Sequence, residues 1–300
     1  MSALFDTYFI VDWSAASTPK RGADSIWWAL HRRIGGAQAI GNPTTRAEAI
    51  DTIAHLLAAE ADLGYRILVG FDFPFGYPQG FAERVTGQAS ALALWDWLSR
   101  VIEDAPSNAN NRFEIAAQLN AIWDGPGPFW GRPSRLETAV PEKKTGIDYS
   151  ELAERRLVER RQKSAQPVWK LFTTGSVGSQ VLLGLPALNR LRQDPRLRDR
   201  ITVWPFETGL AASEAPVTLA EIYPSLLDKA VAQQRAPDEI KDRAQVRVNA
   251  AAFAALDASG GLADLFSCAP DLTQEDRHII ETEEAWILGV GFEDRLREAA

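Results

Sequence analysis

The sequence predicts an α/β fold in which a mixed five-stranded sheet is flanked by helices and carries a large helical insertion. Two continuous apolar runs, at 8–11 and 67–71, are typical of central strands that are covered on both faces. Between them, residues 44–61 place apolar side chains at helical spacing. We interpret residues 1–300 as one domain, with the insertion at about 77–198.

The N-terminal part of the chain predicts the element order β-β-β-α-β. The first strand covers 8–13, and the second covers 25–33 after turn residues at 19–22. The pair Gly35-Gly36 predicts a hairpin into a short third strand near Ala37 to Ile40. The amphipathic helix then leads to a fourth strand over 65–72.

The rest of the chain is predicted to be mainly helical, with two further strand candidates. The predicted helices cover 89–102, 112–122, 149–162, 176–191 (interrupted by Pro186) and 238–256, and a last helix runs from Thr273 to about Gly289. The two strand candidates are β-branched and aromatic, and they cover 201–207 and 217–224.

An aspartate stands at the end of each central apolar run, and this is the strongest functional signal in the chain. Asp12 ends the first run and Asp72 ends the second. Open α/β sheets bind ligands at the carboxyl ends of their strands, and neighbouring strands lie about 4.8 Å apart. Two carboxylates at that spacing repel each other unless they share a proton or a cation, so we expect a divalent metal there.

Four glutamates are candidates to complete a metal site. Glu207 and Glu221 lie at or near the ends of the last two strand candidates, and Glu283 and Glu284 lie on the last helix. A helical wheel places Glu283 near the middle of the apolar face and Glu284 on its flank, which leaves open which of them enters the site. An exposed helix end, with Glu283 reaching water, is the alternative. Ligands that are all oxygen favour Mg²⁺ or Mn²⁺ over zinc.

Substrate contacts are expected from two further places. Ser176, in the loop 175–180, lies before a predicted helix whose N-terminus could accept an anion, although a plain helix cap is the alternative. Lys241 and Arg243 could meet a phosphate, although a charged helix surface is as good an explanation. Ser14, two residues after Asp12, is a further candidate.

Composition and charge narrow the classes of function. The net charge of −8 argues against a general nucleic-acid binder, which needs a basic face. The single cysteine, Cys268, excludes an internal disulfide and predicts a cytoplasmic location. No apolar run approaches the ~20 residues of a membrane helix, so no membrane partner is expected.

The predicted strand and helix order, with aspartates on the first and fourth strands, resembles the ribonuclease-H-like fold. Within that superfamily the chain is similar to the domain-of-unknown-function 429 family. The similarity is carried by short motifs at 11–14 (Val-Asp-Trp-Ser), 70–76 (Gly-Phe-Asp-Phe-Pro-Phe-Gly), 175–180 (Gly-Ser-Val-Gly-Ser-Gln), 204–207 (Trp-Pro-Phe-Glu), 220–224 (Ala-Glu-Ile-Tyr-Pro) and 283–285 (Glu-Glu-Ala). The family usually carries Asp-Ala on its last helix, where this chain has Glu284-Ala285. The resemblance implies carboxylate-bound Mg²⁺ of the kind found in nucleases.

Three functions therefore compete. The first is a metal-dependent phosphodiester hydrolase, acting on nucleic acid, in which Asp12 and Asp72 hold the metals and Glu221 and Glu284 (or Glu283) complete the shell. The second is a non-catalytic binding module that kept the fold. The third is a small-molecule phosphohydrolase or nucleotide-binding enzyme, which a compact pocket would favour.

Overall fold

The computed structural model describes residues 3–36 and 38–300 and contains a six-stranded mixed sheet flanked by helices. The strands are β1 (Thr7–Asp12), β2 (Trp27–Arg32), β3 (Gln38–Gly41), β4 (Ile67–Phe71), β5 (Ile201–Val203) and β6 (Val217–Glu221), in the order β3-β2-β1-β4-β6-β5. β1, β2 and β3 are antiparallel neighbours, whereas β4, β6 and β5 continue the sheet parallel to β1.

The prediction of five strands was wrong by one, because both C-terminal strand candidates join the sheet. β5 has three residues, fewer than the predicted 201–207, and forms one edge of the sheet. The predicted start of the third strand at Ala37 lies outside the described residues.

Eleven α-helices are present in the described part of the chain. They are α1 (Arg46–Asp62), α2 (Phe81–Thr86), α3 (Ala91–Val101), α4 (Arg112–Asn120), α5 (Leu157–Arg161), α6 (Gly178–Gln193), α7 (Asp228–Gln234), α8 (Lys241–Ala258), α9 (Leu262–Leu265), α10 (Gln274–Ile279) and α11 (Glu293–Glu298). A 3₁₀ turn covers Pro224–Leu227 and a π turn covers Ile280–Glu284. Within residues 3–36 and 38–300, no helix is both long enough and apolar enough to cross a bilayer.

The central strands are buried on both faces, which is why β4 is apolar throughout and β1 is apolar from Tyr8 to Val11. Along β1, Phe9 and Val11 belong to the hydrophobic core on one face, together with side chains of α1, α3 and α6. Tyr8 and Ile10 belong to the core on the other face, together with side chains of α8. Side chains alternate between faces along a strand, so a strand in this position has no solvent-facing residue.

Two predicted helices differ from the structure, and tertiary contacts explain both. The helix predicted over 149–162 forms only as the short α5, because Arg156 just before it is drawn into a buried ion pair. The last predicted helix ends early: α10 gives way to the π turn, and Ala285 then adopts a φ of 61°. Beyond that point the backbone N–H of Leu288 donates to the carbonyl of Glu221 at 2.8 Å, so this segment pairs with β6.

Candidate functional site at the carboxyl ends of β1 and β4

The structure brings Asp12 and Asp72 together at one edge of the sheet. Asp12 is the last residue of β1 and Asp72 directly follows β4, and the register pairs Val11 with Phe71 just before them. The backbone N–H of Trp13 donates to Asp72 Oδ1 at 2.7 Å, which fixes that carboxylate against the end of β1. The two carboxyl groups are near enough to share a hydrogen bond.

Burial dominates the protonation of this carboxylate pair. Burial raises the pKa of Asp12 well above its usual range, and the charge of Asp72 raises it further. Burial also raises the pKa of Asp72 to about 7, although the Trp13 amide and the hydrogen bond with Asp12 act in the opposite direction. The pair therefore keeps a proton near neutral pH, in the place that a cation could take.

A third carboxylate, Asp242, belongs to this edge and was missed in the sequence. It lies in the first turn of α8, and its Oδ2 accepts the backbone N–H of Asp24 at 2.7 Å. Its negative charge is among the causes that raise the pKa of both Asp12 and Asp72. The signal that could have revealed it is the apolar face of α8, which packs on β1 and β2 and so holds the helix start at this edge.

The residues beside Asp242 do not offer free positive charge to a substrate. Lys241 Nζ lies 3.5 Å from a carboxylate oxygen of Asp228, and Arg243 Nη1 lies 2.6 Å from one of Glu239. Both side chains are solvated, as the alternative of a charged helix surface requires. Ser14 lies nearer to the pair, and its hydroxyl donates to the carbonyl of Asp24 at 3.3 Å.

Glu221 lies level with Phe71 in the sheet, one residue before the position of Asp72. The register pairs it with Phe71, so alternation along the strands sends its side chain toward the opposite face from Asp72. There Arg156 binds it through two hydrogen bonds, from Nη1 at 2.8 Å and from Nη2 at 2.6 Å, and the Phe75 N–H adds a third at 2.9 Å. Both of its carboxylate oxygens therefore already accept hydrogen bonds from the protein.

Glu283 and Glu284 bind backbone amides, and neither hydrogen-bonds to the Asp12–Asp72 pair. Glu284 accepts the N–H groups of Gln79 at 3.0 Å and Leu157 at 2.5 Å, and Glu283 accepts that of Gly80 at 3.0 Å. Glu283 is only 4% exposed, as its place on the apolar face of the helical wheel predicts, so the alternative in which it reaches water is wrong. Glu284, which the wheel places on the flank, is buried as well, since both residues lie in a π turn. Gly76 lets this turn approach, since a Cβ on it would lie 2.0 Å from the carbonyl oxygen of Glu283.

Glu207 lies apart from the pair as well. Its Oε1 is 2.5 Å from Arg192 Nη2, and its Oε2 accepts the N–H of Val203 at 2.9 Å. It follows the end of β5, the edge strand, which two other strands separate from β1. The glutamate therefore caps its own strand and belongs to a surface ion pair.

The centre of the buried glutamate cluster is Arg156, which no pattern in the sequence distinguishes from the basic residues around it. Its side chain is only 1% exposed, and it binds Glu159 as well as Glu221. Arg156 Nη1 also donates to the carbonyl of Glu284 at 2.7 Å, so one guanidinium joins β6, α5 and the π turn. Arg156, Glu159 and Glu221 all line the cavity that Asp72 also lines.

A cavity of about 380 Å³ opens beside the pair. Asp72 lines it together with Ser176 and Gln180 from the segment around the start of α6, Gln245 from α8, and the buried pair Arg156–Glu221. Gln180 Nε2 donates to the carbonyl of Trp13 at 2.6 Å, which ties α6 to the end of β1. The segment between β4 and β5 therefore supplies one wall of the site.

The ligand set predicted for the metal is not assembled around one point. In the described residues, no group of three or more histidine, cysteine, aspartate or glutamate side chains is arranged to hold a metal ion. The chemistry of Asp12 and Asp72 still fits Mg²⁺, which usually keeps several waters and takes one or two carboxylates plus substrate phosphate.

The shared proton makes stability depend on pH. An unfolded aspartate titrates near 3.9, whereas burial raises the pKa of Asp72 to about 7 and that of Asp12 well above its usual range. Between these values the folded state binds more protons than the unfolded state, so the free energy of unfolding falls as pH rises. We expect a shallower fall in Asp72→Asn, because its amide keeps an acceptor for the Trp13 N–H but cannot share a proton.

The measurement is urea denaturation of both proteins between pH 5 and pH 8. Asp51→Asn, a change at an exposed position of α1, is the control and should follow the wild type. Parallel pH profiles for Asp72→Asn and the wild type would rule out a proton held by the pair.

Comparisons with family models, with curated proteins and with solved structures find no match for this chain. The candidate site therefore rests on its own geometry: two proton-sharing carboxylates at neighbouring strand ends, a third carboxylate nearby, and a cavity beside them.

Proposed function

We propose that the protein is a divalent-metal-dependent hydrolase of small phosphate esters, on a ribonuclease-H-like sheet. The observation that carries the proposal is the Asp12–Asp72 pair, whose member Asp72 lines a cavity of about 380 Å³. The strand order β3-β2-β1-β4, with an antiparallel β1–β2–β3 unit and a parallel β4, is the arrangement expected of that fold. The resemblance to the domain-of-unknown-function 429 family points the same way.

Asp12 and Asp72 would hold Mg²⁺ or Mn²⁺, with Asp242 adding negative charge from α8. The ion supplies Lewis-acid polarisation of a phosphoryl oxygen and helps to activate the attacking water. Asp12 and Asp72 give up their shared proton to bind it, so affinity should rise with pH. Trp13, through its backbone N–H, keeps Asp72 oriented during this exchange.

The size and charge of the surroundings favour a small substrate over a nucleic-acid duplex. Among the described residues, the only cation lining the 380 Å³ cavity is Arg156, and it is neutralised by Glu159 and Glu221. A basic stretch at residues 190–200 has five arginines, among which Arg192 is paired with Glu207, Arg196 with Asp194 and Arg200 with Asp62. Duplex binding requires basic groups that are free to replace counterions on the phosphates.

The test is hydrolysis of substrates of graded size in the presence of Mn²⁺ or Mg²⁺. We expect turnover of bis(p-nitrophenyl) phosphate and p-nitrophenyl phosphate, abolished by EDTA, and no cleavage of a DNA or RNA duplex. Efficient duplex cleavage would overturn the small-substrate assignment. Absence of hydrolysis in protein that binds Mn²⁺ would favour the non-catalytic binding module.

A further inference from the structure

A second site is indicated by Arg112, the first residue of α4. Its side chain is 9% exposed, yet no carboxylate of the described chain lies within ion-pair distance of it. The two other buried arginines differ: Arg46 pairs with Asp104 at 2.6 Å, and Arg156 pairs with two glutamates. A buried charge without a counter-charge is strongly unfavourable, so Arg112 calls for an anion.

The neutral partners of Arg112 hold its guanidinium in place and leave one end free. Nε donates to Ser179 Oγ at 2.9 Å, and Nη1 donates to Ser17 Oγ at 3.0 Å and to Asn110 Oδ1 at 2.7 Å. Nη2, with two N–H groups, donates to no acceptor in residues 3–36 and 38–300. It is not among the polar atoms that are sealed inside the structure without a partner, so it is accessible from outside.

Arg112 lines an open cleft of about 700 Å³ that is rich in hydroxyl groups. The hydroxyl residues of the cleft are Ser17, Thr173, Thr174, Ser176 and Ser179. The cleft also contains the first turn of α6, a helix of 16 residues. The N–H groups of Ser179 and Gln180 there have no acceptor among the described residues, and a helix N-terminus carries partial positive charge that favours anions.

One carboxylate, Asp24, shares the cleft but does not neutralise Arg112. Its carboxylate is solvated and lies 3.5 Å from Lys20 Nζ, and its backbone N–H binds Asp242. Burial, and after it the charge of Arg46, lowers the pKa of Arg112 to about 10, so the guanidinium remains charged at neutral pH. The positive charge is therefore available to a ligand.

We propose that this cleft binds the phosphate-type oxyanion of a small phosphorylated ligand, with Arg112 Nη2 and the first-turn amides of α6 as its donors. Several N–H donors and hydroxyls suit a group with three terminal oxygens better than a carboxylate with two. The cleft shares the lining residues Ser176 and Gln180 with the cavity that contains Asp72, so the two lie next to each other. The site rests on Arg112 and does not depend on the proposed hydrolysis.

The experiment is calorimetric titration with inorganic phosphate and with pyrophosphate, in EDTA so that no metal contributes. We expect the wild type to bind one equivalent, and Arg112→Gln to bind at least tenfold more weakly. Arg198→Gln, at an exposed position, is the matched control. Asp12→Asn should bind phosphate as the wild type does, which separates this site from the hydrolase proposal.

Thermal unfolding separates a binding role from a structural one. Because Arg112 has no counter-charge without ligand, Arg112→Gln should keep or raise the Tm of the phosphate-free protein but lose the rise that phosphate produces. As a second variant, Thr174→Glu adds a carboxylate to the exposed rim of the cleft that Arg112 lines, and it should weaken phosphate binding by repulsion. Absence of phosphate binding by the wild type, or unchanged affinity in both variants, would overturn the proposal.

Discussion

Replacing Asp12 by asparagine is expected to weaken Mn²⁺ binding by at least about 100-fold while making the metal-free protein more stable. The asparagine side chain keeps an oxygen but loses the negative charge that a divalent ion requires. The same change removes the burial cost of the Asp12 carboxylate and its repulsion by Asp72, which together raise the pKa of Asp12. We therefore expect the free energy of unfolding at pH 8 to increase by about 1–3 kcal/mol.

Weaker Mn²⁺ binding together with higher stability of the metal-free protein distinguishes a binding site from a structural carboxylate pair. Calorimetric titration with Mn²⁺ gives the affinity, and urea denaturation in EDTA gives the stability. Hydrolysis should fall by about 10³-fold if the ion supplies several kcal/mol to the transition state. Asp242→Asn should weaken Mn²⁺ less, by about tenfold, because it acts on the pair through its charge.

Asp51→Asn changes the same functional group at an exposed position of α1 and should alter neither property. Identical Mn²⁺ isotherms for the wild type and Asp12→Asn would end the metal hypothesis. If Asp12→Asn instead destabilised the metal-free protein, the pair would be a structural hydrogen bond.

Replacing Arg156 by methionine is expected to cause the largest loss of stability, about 3–5 kcal/mol at pH 8. Methionine fills a similar volume, but it leaves Glu159 and Glu221 buried, both 2% exposed or less, without their cation. Burial raises the pKa of Glu159, so at lower pH this glutamate can take up a proton and the loss should be smaller at pH 5 than at pH 8.

The control for this prediction is Arg192→Met, which breaks the partly exposed pair with Glu207 and should cost about 0–1 kcal/mol. The rescue variant combines Arg156→Met with Glu159→Gln and Glu221→Gln, and it should recover much of the stability because no buried charge remains. Equal losses at both pH values, with no rescue, would show that packing around Arg156 matters more than its charge.

The segments with a regular pattern of apolar residues were predicted well. The apolar runs of β1 and β4 and the periodic helix α1 indicated the sheet, and the aspartates at the two strand ends followed because parallel neighbours end at the same edge. The helix predicted over 176–191 forms as α6 and continues through Pro186. Packing of α6 on α1 and α3 compensates for the one hydrogen bond that a proline removes.

The glutamates show where this reasoning stops. Glu221 and Glu284 were expected to join Asp12 because they carry the right chemical group near the right elements. Their actual partners, Arg156 and the amides of Gln79 and Leu157, come from segments without periodic signal. Asp242 was missed because nothing near it in the sequence marks a site. Only the packing of α8 on β1 places the first turn of α8 beside the Asp12–Asp72 pair.

The sequence by itself determined the central strands, their order with α1, and the two aspartates at their ends, because hydrophobic periodicity is a property of consecutive residues. The tertiary structure alone decided which carboxylates remain free. Asp72 accepts a single backbone N–H, that of Trp13, whereas the carboxylate of Glu221 accepts two N–H groups of Arg156 and the N–H of Phe75. Which donors reach a carboxylate depends on segments far apart in the chain, as Arg156 and Glu221 are. The same packing leaves Arg112 bound to neutral side chains, without a carboxylate partner among the described residues.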